Sequence, residues 1–131
     1  MSGTLTASWT PVDSALNPVW RSTVVHLITT LNCDASFPQD RKTALNNDVT
    51  HKKLLALKQL DPNSGAYFNE ANQNEPGWQW DFFGEHYDRL YAIKQKYDPY
   101  GLLWCRQCVG SEDWSDDEDG SLCSLFRPWH H

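Results

Sequence analysis

Two short stretches hold side chains whose types and spacing could do chemistry. In "AYFNEA" (66–71) Tyr67, Asn69 and Glu70 set a phenol, an amide and a carboxylate just after the turn "DPNSG" (61–65). Such a set can orient a polar ligand beside a stacked ring. In "WCRQC" the pair Cys105-x-x-Cys108, followed by Cys123 and the terminal His130 and His131, supplies in number the ligands of a zinc site.

The second stretch is the weaker signal. Zinc sites that can be recognised from spacing carry a second ligand pair at a fixed interval, and this pair stands alone. A thioredoxin-like redox role is weaker still, since the pair follows an expected strand without the helix N-terminus that lowers a thiol pKa. Simple thiols, or a local disulfide involving Cys123, are the plainer reading, and no metal site is assigned. "SDDEDG" resembles the start of a calcium loop, but with Gly120 at the sixth position Phe126 falls at the twelfth, where a glutamate is required. His26 and His86 both sit in apolar surroundings, where a hydrogen-bonded structural histidine outweighs a catalytic base. No Ser-His-acid order, phosphate loop or H-E-x-x-H motif is present.

These residues must be positioned by a small scaffold. A chain of 131 residues with 40% hydrophobic content supports one domain with one modest core. Seven Trp exceed what such a core needs, which points some of them toward a pocket or interface. The net charge of -6 and the lack of a basic run argue against nucleic acid. The N-terminus has neither the basic head nor the apolar run of a secretory signal, and no stretch reaches the roughly 20 apolar residues of a membrane span. A cytoplasmic chain with reduced thiols is therefore expected.

Residues 1–15 read as an extended arm. "WRSTVVHLITTL" (20–31) is rich in β-branched residues and reads as a strand covered on both faces. Residues 41–60 read as a helix, held through Leu54, Leu57 and Leu60 and weakened early by Asn46 and Asn47. A short strand at 66–71 would place Tyr67 and Asn69 on one face and Phe68 and Glu70 on the other. The segment "WQWDFFGEHYDRLYAIKQKYDP" reads as the firmest helix, with a stripe of Phe83, Tyr87, Leu90, Ile93 and Tyr97 and a Glu85–Arg89 pair on its wet side. Asp98-Pro99 stops it, "GLLWC" reads as a final strand, and the six acids between Glu112 and Asp119 read as a solvated tail. The class expected is α+β, a small antiparallel sheet covered by two or three helices.

Three blocks, "NPVWRSTVVHLITT", "SGAYFNEANQNEPGWQWDFFGEHYDRLYAIKQKYDPYGLLW" and "VGSEDW", resemble in wording and order the C-terminal part of fungal FAD-linked oxidoreductases. These belong to the berberine-bridge-enzyme-like group of the vanillyl-alcohol-oxidase superfamily. The resemblance covers about residues 16–123. It implies a substrate-domain remnant with a berberine-like helix and strand over 16–110 and an acidic tail over 111–131, without the flavin-binding domain. It also implies that the His26 strand lies over the flavin ring and that Tyr67, Asn69 and Glu70 face substrate and isoalloxazine. The site so implied has His26, Tyr67 and Glu70 as catalytic residues and Asn69, Trp78, Trp80, His86 and Tyr87 as substrate-binding ones. The family often has Asn where His86 stands, and many carbohydrate-oxidising members have Tyr where Glu70 stands. Related fungal sequences often carry Cys near 105 and 108, which favours local thiols or a bridge with Cys123 over a metal. Full-length relatives include secreted ones.

By this resemblance FAD is the cofactor, but it is not held by this chain alone. The function implied is to bind and orient a small polyketide- or alkaloid-like metabolite for oxidation with a flavin-domain partner. The alternatives are a flavin-free cyclase or isomerase of secondary metabolism and a non-catalytic binding remnant. Both of these predict self-association through apolar surface left uncovered.

Overall fold

The computed structural model describes residues 8, 10–116 and 120–125. After a 3-10 turn over Pro18–Arg21 comes the expected Leu-rich helix, built in three parts. Helix α1 spans Gln39–Asp48, a single π-helical turn covers Val49–Lys53, and α2 spans Leu54–Lys58. Pro38 opens it, as proline can where an N–H would have no helical partner, and its carbonyl accepts from Lys42 N at 3.1 Å. The π turn closes when the Leu54 N–H donates to the Val49 carbonyl. Within that turn Thr50 is buried, and its hydroxyl accepts from the Asn72 side-chain amide at 2.7 Å.

The second helical region is two helices rather than one. Helix α3 spans Trp78–Phe83, a 3-10 turn covers Gly84–His86, and α4 spans Tyr87–Tyr97. The break lies at Gly84, whose φ of 57° and ψ of -141° suit glycine alone. A Cβ there would meet Asn17 Oδ1 at 2.8 Å. Asn17 is buried and fastens the N-terminal arm to the end of α3. Its amide donates to the carbonyls of Asp81 at 3.0 Å and Trp80 at 3.2 Å, and its Oδ1 accepts from Val19 N at 3.1 Å. The Trp80 carbonyl also accepts from the Gly84 N–H and the Asp81 carbonyl from the Ala66 N–H, so Asn17 reinforces a helix end already tied by backbone bonds.

Phe82 is the one buried hydrophobic residue among the described residues, at 6% exposure. Phe68 packs edge-on against it at 5.4 Å, and Trp78, Phe83 and Tyr87 continue the ring cluster. The expected stripe on α4 holds only in its first half: Tyr87 and Leu90 are half-buried, whereas Ile93 and Tyr97 face outward. The face that turns inward carries Tyr91, Lys94 and Gln95 instead. Arg89 pairs with Asp13 at 2.5 Å instead of with Glu85, because the arm passes within reach of its guanidinium.

Asp98 stops α4 by a definite device. Its carboxylate accepts from Lys94 Nζ at 2.5 Å and from the N–H groups of Leu102 and Leu103 at 2.9 Å each. The Lys94 hydrogen bond and these backbone donors hold its carboxyl down to about 2.

The α+β class stands, but the sheet is made of other residues. Strands β1 (Trp114–Asp116) and β2 (Leu122–Ser124) pair antiparallel, with Trp114 opposite Ser124 and Asp116 opposite Leu122. They lie in the region expected to be a solvated acidic tail. Glu112 and Asp113 turn inward, where Glu112 accepts from the Tyr87 hydroxyl and Asp113 from the Tyr91 hydroxyl at 2.8 Å. The expected strands are not formed: 20–31 is a 3-10 turn followed by open backbone, 66–71 contains the 3-10 turn Phe68–Glu70, and 101–105 is irregular. A strand needs a neighbour for its backbone donors and acceptors, and the described residues place none beside these three.

Cys105 and Cys108 form a disulfide with each other, Cα atoms 5.3 Å apart, so the bridge does not involve Cys123 and this pair is not reduced. Cys33 and Cys123 are exposed and outside it. Residues 1–7 and 9 of the arm, the acids 117–119 and the candidate ligands His130 and His131 lie outside the described residues. Among those described, no helix is long and apolar enough to cross a membrane.

Candidate functional site

The site is a groove of about 510 Å³ between the open segment 19–29 and the layer formed by α2 and residues 64–75. That volume is within the roughly 300–1,000 Å³ usual for small-molecule sites. Its walls are apolar, with Val19, Trp20, Ile28, Leu54 and Leu57 among them. Gly65 brings the two sides together: a Cβ there would meet Val19 Cγ1 at 2.7 Å and the Asp81 carbonyl at 2.8 Å. The adjacent Ala66 N–H donates to that same carbonyl at 2.8 Å, which fixes the start of the 66–71 segment against α3.

The geometry brings together the three residues expected to be catalytic. His26 is half-buried, its ring edge-on to Trp20 at 5.2 Å and to Tyr67 at 6.3 Å. His26 Nε2 lies 3.6 Å from Glu70 Oε2, an ion-pair separation rather than a hydrogen bond. The 3-10 turn, with three residues per repeat, sets Tyr67 and Glu70 on the same side, where a strand would have put them on opposite faces. Asn69 does not line the groove, but its amide donates to the Tyr67 hydroxyl at 2.9 Å and orients it.

The other expected substrate-binding residues do not join this groove. Trp78 and Tyr87 meet edge-to-face at 5.5 Å in the ring cluster, and Trp80 is exposed. Tyr87 is engaged by Glu112, and burial together with that carboxylate pushes its phenol well above the usual range. His86 Nδ1 is buried without a hydrogen-bond partner among the described residues. All four belong to α3, α4 and the turn joining them, and of these elements only Asp81 reaches the groove.

A second polar group at the groove was not singled out from the sequence. Lys58 Nζ lies 2.6 Å from both Glu75 Oε1 and Asp81 Oδ2, and both acids are only 5% exposed. Burial alone would lower the Lys58 pKa, but the bonds to Asp81 and Glu75 outweigh it and hold the value above the ordinary lysine range. Burial pushes the Glu75 carboxyl up, against the pull of Lys58 and with the nearby Asp81 adding to the rise. The available signal was an acid, Asp81, set inside the aromatic run "WQWDFF". A buried acid requires a partner, although the sequence does not say which.

The groove does not fit an entire FAD. Glu75, Asp81, Asp61 and Glu70 line it, and its one lysine is already engaged by two of them, so the diphosphate would meet carboxylates without a free cation. No long helix among the described residues opens on it to offer the backbone N–H groups that cradle phosphates.

Comparison with known proteins places these residues beside fungal flavoproteins. The family model "Berberine and berberine like" matches residues 66–110. The FAD-linked oxidoreductase hmp9 of Hypomyces subiculosus is 38% identical over 111 residues, which are 85% of this chain and 18% of that protein. An uncharacterized FAD-linked oxidoreductase of Arthroderma benhamiae is 38% identical over 94% of this chain and 20% of its own length. Two crystal structures of VAO-type flavoproteins from Myceliophthora thermophila C1 share the fold. MtVAO713 has a TM-score of 0.73 at 35% identity, covering 85% of this chain and 19% of that one. MtVAO615 has a TM-score of 0.79 at 26% identity, covering 93% and 22%. The chain thus spans about a fifth of the length of the relatives it matches. Over residues 66–110 the chain matches the berberine and berberine-like family, and over most of its length it is similar to a part of fungal FAD-linked oxidoreductases.

Proposed function

We propose that this chain is the substrate side of a flavin-dependent oxidase, binding and orienting a small polyketide- or alkaloid-like metabolite while a flavin-domain partner supplies FAD. The observation that carries this reading is the convergence of His26, Tyr67 and Glu70 on one edge of an apolar groove of ligand size. The walls would take the apolar body of the ligand. Tyr67, steadied by Asn69, would fix its polar end, and His26 beside Glu70 would accept a proton from it. The exposed Val24, Val25, Leu102 and Leu103 support coverage by a partner, either a flavin-domain chain or a second copy.

A flavin-independent cyclase or isomerase is the second reading. It is favoured by one observation: the His26–Glu70 pair and its groove are assembled within this chain, and the groove's carboxylates and engaged Lys58 suit it poorly to a diphosphate. Orientation and proton transfer can by themselves accelerate such reactions.

Both readings are tested by the visible absorbance of bound flavin and by turnover. The purified chain should stay colourless with added FAD, and it should bind to a flavoprotein relative from which the matching region has been removed. His26→Ala should slow turnover of polyene or enone substrates by roughly a hundredfold, with smaller losses for Glu70→Gln and Tyr67→Phe. Tight FAD binding by the chain alone would overturn the split assignment. Equal rates in all three variants would remove the catalytic roles.

A further inference from the structure

We infer that the groove excludes anions and takes an apolar ligand whose polar end donates hydrogen bonds and is uncharged or cationic, with Lys58 setting that selection. The inference rests on the groove being the ligand site proposed above and names the class of ligand it admits.

A lysine lining a ligand-sized cavity ordinarily marks a site for carboxylates or phosphates. Lys58 does the opposite. Its ammonium lies between Glu75 Oε1 and Asp81 Oδ2, 2.6 Å from each, so two of its three donors are committed to carboxylates that are themselves almost fully buried. One positive charge therefore answers two negative ones where Lys58, Glu75 and Asp81 line the groove.

The remaining lining repeats that imbalance. Asp61 and Glu70 add two more carboxylates, and Lys58 is the sole Lys or Arg among the described residues that line the groove. Glu70 faces His26 at 3.6 Å, too far for a hydrogen bond, so its carboxylate oxygens can still accept from a ligand. The Tyr67 hydroxyl accepts from Asn69 and retains its own proton to donate.

An entering anion would meet this excess negative charge between apolar walls that strengthen the repulsion. It could be received only by drawing Lys58 away from Glu75 or Asp81, which would leave a buried carboxylate without its counter-ion. An alcohol, phenol or protonated amine meets acceptors and displaces nothing. Lys58 thus acts as a specificity-determining residue through its engagement, by denying the ligand a cation.

The test uses three probes of one shape: 2-naphthylmethanol, 2-naphthylmethylamine and 2-naphthoate. Binding to the full chain is followed through the NMR signals of the Trp20 indole N–H and the His26 ring, which report on this groove specifically. The alcohol and the amine should bind at least tenfold more tightly than naphthoate at low salt, with the amine ahead. Glu75→Gln should narrow the amine-to-naphthoate ratio severalfold. Because that variant disturbs a buried pair, Glu70→Gln at the exposed edge is the second arm, expected to narrow the ratio by a smaller factor. Naphthoate binding as tightly as the amine, or a ratio that neither variant moves, would overturn the charge selection and leave the groove reading intact. No probe shifting either signal would overturn the groove as a ligand site, and the selection with it.

Discussion

The segment 22–31 and the segment 78–113 have similar appeal as sequence, and they fold differently. The first is β-branched and apolar, yet its backbone is open and Val24 is 74% exposed. The second is mixed in polarity, yet it is tied at every step: Asn17 at the end of α3, Glu112 and Asp113 on the hydroxyls of Tyr87 and Tyr91, Asp98 at the end of α4. Helices satisfy their own backbone and need only side-chain partners close in sequence, whereas strands take their partners from elsewhere. The difference teaches that this chain stabilises its helical half by itself and presents the 22–31 segment.

Three substitutions would break or sharpen that contrast. Gly84→Val should be the most damaging, since it puts a β-branched side chain at φ 57° against Asn17. A loss of about 3 kcal/mol or more is expected in urea unfolding. A loss below about 1 kcal/mol would mean that the junction of arm and helices is not what holds the helical half together.

Asp98→Asn should cost less and should reveal its cause through pH. The folded carboxyl is held down to about 2 from an ordinary 3.8, so its contribution is present above pH 3.8 and is lost as the pH falls through 2. Thermal melts of wild type and variant should therefore differ at pH 6 and converge near pH 2, as expected for these group values. A difference that persisted at the acid end would assign the effect to helix shape and not to the carboxylate.

Val24→Lys should be the mildest for the isolated chain, within about 0.5 kcal/mol of wild type, because the side chain is already largely in solvent. The same variant should weaken association with a flavin-domain partner, measured by light scattering or pull-down with the purified flavoprotein fragment. Marked destabilisation of the chain alone would show that 22–31 is packed within it, and the contrast between the two regions would fall.

How much of this was legible in the sequence follows the same division. The helices were readable from Leu54 and Leu57 and from Tyr87 and Leu90, because periodicity is local, whereas Leu60 lies past the end of α2 and is largely exposed. The break at Gly84 was not, since it answers to Asn17, 67 residues earlier in the chain. Of the site, His26, Tyr67 and Glu70 stood out as polar side chains in apolar or turn settings, and the structure brings them together. Lys58 did not, because on a helix surface it reads as one solvated lysine among several until Glu75 and Asp81 arrive from other elements. The acidic tail misled because charge density says nothing about which acids turn inward to meet a tyrosine.

The π turn at Val49–Lys53 has a directional consequence. It fits one residue more than an α-helix would, so everything beyond it is rotated by roughly 100° relative to an uninterrupted helix. Lys58 stands five residues past the turn and meets its two acids only in that rotated phase. A one-residue deletion within 49–53 would leave a helix that looks intact by circular dichroism and yet points its lysine away from the groove. The turn is an aiming device, and the length of this stretch, more than the identity of its residues, decides where the charge arrives.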